Sequence, residues 1–136
     1  MPFVSKKPLK KEVRKQLDQQ FIKTVVSLQT ISGGSNFLSE FLTETEQMMF
    51  AKRLMIIFML IEGISQYRIK QVLHVSSSTV SRIAKEHEQN VFPHIARICG
   101  QKKHREVLWR ELEVMIRMGM PSMGRDRWKW LDELYK

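Results

Sequence analysis

The chain has 136 residues, a length that suits one compact domain, with or without helical extensions, and not several independent ones. Its 23 Lys and Arg against 14 Asp and Glu give a formal charge of +9, which favours polyanionic partners, either nucleic acid or an anionic membrane surface. The one cysteine, Cys99, excludes an intramolecular disulfide, and no segment near the N-terminus has a signal-peptide pattern, so a cytoplasmic protein is expected.

Residues 8–31 carry Leu9, Val13, Leu17, Phe21, Val25 and Leu28 at helical spacing, an apolar stripe on an otherwise basic and amide-rich helix. The stretch TISGGSN, 30–36, is expected to end that helix with its two glycines. A short helical stretch at 37–42 follows. Thr43-Glu44-Thr45-Glu46 then fits a capping box that opens a long helix over 44–62. Its second half is apolar all round. The longest apolar run, 54–61, is far shorter than the ~20 residues that cross a bilayer, so it reads as a core helix enclosed by neighbours or by a partner subunit.

Gly63 supplies a stop, and Ser65 can cap a helix of about two turns with Ile69, Val72 and Leu73 inward. After the turn His74-Val75-Ser76, Ser76 can cap a second helix with Val80, Ile83, Ala84 and His87 inward. The opposite face shows Ser77, Ser78, Ser81, Arg82 and Lys85. Pro93 and Gly100 interrupt the next stretch, and Val107, Leu108, Leu112, Met115 and Ile116 mark an amphipathic helix over about 101–118. GMPSMG, 119–124, reads as a turn or hinge, and the tail 125–135 as a short aromatic helix. With no strand-like alternation and no internal repeat, the fold class expected is all-α: a basic N-terminal helix and loop, 1–36, a core, 37–90, and a C-terminal helical extension, 91–136.

Two short helices, a tight turn and a polar second helix make a helix-turn-helix, whose second helix enters the DNA major groove. Ile69, Leu73, Val75, Val80 and Ile83 would clamp the pair. Outward side chains no longer than Ser or Thr let the backbone approach base edges, while Arg82 and Lys85 can reach phosphates or guanine. Lys85 enters the candidate site on helical geometry alone.

In this order the residues resemble the Trp repressor superfamily of bacterial helix-turn-helix regulators. The resemblance covers 37–88, FLSEFLTETEQMMFAKRLMIIFMLIEGISQYRIKQVLHVSSSTVSRIAKEHE, and is carried by FLTxxE, the Arg53-Leu54 pair, GxS and SSSTVSR. It implies an all-helical, intertwined homodimer that binds a palindromic operator as a transcriptional repressor or regulator. Carried over by position, DNA contacts fall at Tyr67, Lys70, Ser77, Ser78, Thr79 and Ser81. It also implies a possible effector site for a small-molecule corepressor at Arg53 and Arg82, with Ile83 standing where the corepressor would need glycine.

Lys6, Lys7, Lys10, Lys11, Arg14 and Lys15 make either a solvated helix face or a basic arm on the DNA backbone. His94, Cys99 and His104 are scattered around a helix with no fourth ligand nearby, so no metal is expected. Trp109, Trp128 and Trp130 read as core or dimer packing, and His87 as a packed core histidine. Nothing combines a nucleophile, a base and an orienting group, and no glycine-rich phosphate loop occurs, so neither an enzyme nor a cofactor is expected. The alternatives are a helical protein-interaction scaffold using the tail GRDRWKWLDELY, or a DNA-binding component of a mobile-element or replication system.

Overall fold

The computed structural model describes residues 7–119 and, among them, seven helices and no strand: α1 (Lys11–Val26), α2 (Ile31–Phe41), α3 (Glu44–Ile61), α4 (Gln66–Leu73), α5 (Ser77–Glu88), α6 (Pro93–Gly100) and α7 (Lys102–Gly119). The all-α expectation is met. None of these helices is long and apolar enough to cross a membrane. The readings made for Lys6, the tail and its Trp128 and Trp130 lie outside the described residues.

The chain forms two compact units, one ending at Met49 and the other starting at Phe50. In the first, α1 is shorter than the 8–31 helix expected, and the glycine pair does not break the chain but lies inside α2. The reason is local. Thr30, with extended backbone, accepts the Gly33 N–H at 2.9 Å and so starts a helix where composition suggested a loop. A Cβ at Gly33 would lie 3.0 Å from Thr30 Oγ1, so this cap favours glycine there. Phe41 stacks on Phe21 at 5.5 Å and on Phe37 at 5.2 Å between ring centroids. Apart from that stack the apolar stripe of α1 remains open: Val13, Leu17, Phe21 and Val25 are exposed, as is Leu9 just before the helix.

Thr43 and Glu46 form the expected capping box, each backbone N–H donating to the other's side chain at 3.1 Å. The Thr43 N–H holds the Glu46 carboxyl well below the usual carboxylate range.

The second unit has a true core. Met55 to Met59 are buried consecutively, so that part of the apolar run 54–61 is enclosed within one chain. Around it lie Ile69, Val72 and Leu73 of α4, Val80 and Ile83 of α5, Cys99 of α6, and Leu108, Trp109, Leu112 and Ile116 of α7. Trp109 meets Phe58 edge-on at 5.8 Å. Arg105 clasps Glu62 with two parallel hydrogen bonds of 2.7 and 2.8 Å, tying the start of α7 to the end of α3. Pro93, read from sequence as an interruption, is the first residue of α6, where its missing N–H costs nothing. Burial pushes the Cys99 thiol up, as suits a packing residue.

Among the described residues, three with left-handed backbone turn the chain between helices. Gly63, φ 80, closes α3: the Ile64 N–H reaches Met59 O at 2.9 Å and the Gly63 N–H reaches Leu60 O at 3.0 Å, the paired pattern of a Schellman stop. Asn90, φ 59, repeats that pattern on α5, with Val91 N–H on Glu86 O and Asn90 N–H on His87 O. His74, φ 52 and ψ 52, makes the turn of the motif, and its carbonyl accepts from Lys52 Nζ at 3.5 Å. A left-handed non-glycine costs about 1–2 kcal/mol, more than the roughly 0.4–1 kcal/mol of unfolded-chain freedom that glycine adds. His74→Gly is therefore expected to stabilise the chain by about 0.5–1 kcal/mol in urea unfolding. A glycine variant less stable than the parent would contradict this strain.

Candidate nucleic-acid interface

The interface is built from two caps and one clamp. Ser65 accepts the Arg68 N–H at 3.4 Å and starts α4, and Ser76 accepts the Thr79 N–H at 3.2 Å and starts α5. The clamp is the one expected: Ile69, Leu73, Val80 and Ile83 are buried and Val75 packs partly buried against them. With α5 pinned on that side, Ser77, Ser78, Ser81, Arg82 and Lys85 all face solvent.

The hydroxyls differ in what they have left to offer. Ser76 Oγ lies 3.2 Å from Ser78 Oγ and 2.8 Å from Thr79 Oγ1, so a small hydroxyl cluster surrounds the cap. Thr79 is half-buried in it. Ser81 stands apart one turn on, where its hydroxyl donates to Gln66 Oε1 on α4 at 3.3 Å. On α4, Tyr67 and Lys70 are exposed, and the Tyr67 hydroxyl accepts from Gln71 Nε2 at 2.9 Å.

Gln66, Ser81, Arg82, Lys85 and Glu88 line one open concavity of about 410 Å³. Arg82 and Lys85 make its floor cationic, and Glu88 sets a carboxylate at the same site. Sequence reasoning passed over Gln66 and Gln71, since a glutamine on a short polar helix carries no signal until a partner is found for it. Arg53, the other arginine of the candidate effector site, takes a carboxylate from α5: its guanidinium lies 3.7 Å from Glu86, one turn beyond Arg82.

Among the described residues, no group of three or more His, Cys, Asp or Glu is placed to hold a metal ion. His94 and His104 lie exposed, and Cys99 is a buried core residue.

The arrangement offers short polar side chains beside the cationic Arg82 and Lys85. It can bind a polyanion and read hydrogen-bonding edges. The family model described as Trp repressor protein matches residues 15–92, from the second turn of α1 to the close of α5, which is more than half of the chain. No curated protein and no solved structure matches it.

Proposed function

The chain belongs to the Trp repressor protein family, a family of non-enzymatic DNA-binding regulators, and on that premise we propose that it is a sequence-specific, dimeric transcriptional repressor that reads an operator through α5. The observation that carries this reading is the outward face of α5. A capped helix anchored by Val80 and Ile83 presents Ser77, Ser78, Ser81, Arg82 and Lys85 together, and helix-turn-helix proteins lay such a face in the major groove. Tyr67 and Lys70 flank it from α4, and Thr79 completes the set of expected contacts.

The exposed stripe of α1 supports the dimer. Val13, Leu17, Phe21 and Val25, with Leu9 just before the helix and Ile22 and Val26 beside them, are too many exposed apolar residues for a helix that is otherwise mostly charged and amide-bearing. A second copy of the chain would cover them and set two reading heads on a palindrome, one helical turn apart. Lys7, Lys10, Lys11, Arg14 and Lys15 then serve as a cationic arm beside the DNA backbone. No corepressor enters the proposal: Arg53 has Glu86 as its counter-ion, and Ile83 fills the position beside Arg82.

Lys70→Ala and Arg82→Ala test it. Each removes one candidate phosphate contact per protomer, two on a palindrome, so each should lower the slope of log affinity against log salt by about 1.8, and the double variant by about twice that. Titration of a selected operator duplex over a salt series measures this. Parental slopes and affinities in both variants would remove the reading head assigned here.

A further inference from the structure

One hydrogen bond in the concavity has a fixed direction. The Ser76 cluster leaves open which hydroxyl donates to which, but Gln66 Oε1 is a carbonyl oxygen and can only accept, so the Ser81 proton points at α4. A serine hydroxyl has one proton and two lone pairs. With the proton committed, only lone pairs remain for anything that approaches from solvent. Both side chains are exposed, on the same surface as Arg82 and Lys85.

In the major groove the four bases differ in what they show a probe approaching their strand. Adenine and cytosine present an amino donor, at N6 and N4, whereas guanine and thymine present a keto acceptor, at O6 and O4. A freely rotating serine serves either class; one locked as an acceptor serves only the first. We infer that Gln66 is a specificity-determining residue that acts through Ser81, locking its hydroxyl as an acceptor so that this position selects a base with an exocyclic amino group. Gln66 keeps its own amide N–H donors for a phosphate or a base acceptor. The pair bridges the two motif helices over fifteen residues, so the selectivity belongs to the packed motif and not to α5 alone. The inference rests on the reading head proposed above.

Selection from a random duplex library with the full chain, its Ser81→Ala and Gln66→Ala variants, and Gln66→Glu tests it. The parent should enrich a site in which one position of each half-site is restricted to the amino-bearing class on one strand. Ser81→Ala should lose that restriction and no other. Gln66→Ala should relax it to include the keto bases while other positions hold, because the hydroxyl can then donate. Gln66→Glu, which still accepts the proton, should keep the restriction at lower overall affinity because its charge opposes the phosphates.

Replacing the selected base by an analogue that lacks its exocyclic amino group should weaken the parent about three- to tenfold, the size of one hydrogen bond, and leave Ser81→Ala unmoved. A parental pool with no enrichment would remove the reading head itself, and the inference with it. An enriched pool in which Gln66→Ala keeps the parental restriction, or in which the analogue weakens parent and Ser81→Ala alike, would overturn the role of the pair alone.

Discussion

Trp109→Ala is expected to destabilise the chain by about 3–5 kcal/mol, the range for deleting a large aromatic from a closed core. Trp109 is 5% exposed and sits edge-on against Phe58, which is fully buried in the same core. Small domains have only about 5–15 kcal/mol in all, so the variant should show an early urea midpoint and a weakened near-ultraviolet aromatic signal. Operator binding should fall with it, because the core that Trp109 fills is the one that holds Val80 and Ile83 beneath the reading face. Arg110→Ala, on the exposed side of the same helix, should change stability by less than about 0.5 kcal/mol. A loss below about 1 kcal/mol for Trp109→Ala would mean that α7 is not part of that core.

On the dimer proposed above, Phe21→Asp is expected to leave single chains in solution. The substitution sets a carboxylate in the middle of the α1 stripe, between Leu17 and Val25, where burial against a second copy would strand the charge. Sedimentation equilibrium at micromolar concentration should return the mass of a single chain. Affinity for a palindromic duplex should drop ~100-fold or more, since one reading head no longer raises the effective concentration of the other. Gln19→Asp, on the opposite side of the helix, should leave mass and affinity near those of the parent. If Phe21→Asp stays dimeric and binds as the parent does, α1 does not form the subunit interface.

The parts of this fold legible in the sequence are those whose cause is local. Ser65, Ser76 and the Thr43–Glu46 box each announce a helix start within four residues, and the alternation of inward Val80 and Ile83 with outward Ser81 and Arg82 gives α5 its face. The α2 start was obscured because a glycine pair usually breaks helices, and only the Thr30 cap outweighs it. The short helix α6 was hidden by a proline that is a breaker inside a helix and a starter at its first position. An amphipathic pattern shows that α7 has a buried face but not what lies against it; Phe58 is fifty-one residues away. The same distance effect conceals Gln66, whose meaning comes from Ser81 on another helix.

The closing of the core by α7 also sets the order in which the molecule can mature. The residues of the proposed reading face are complete once synthesis passes Lys85, yet their scaffold lacks Leu108, Trp109, Leu112 and Ile116 until some thirty residues more have been added. At about 5–20 residues per second, the nascent chain spends roughly 1.5 to 6 seconds with Phe58, Ile69 and Ile83 made but not yet enclosed. The proposed reading face is therefore written early and becomes rigid late.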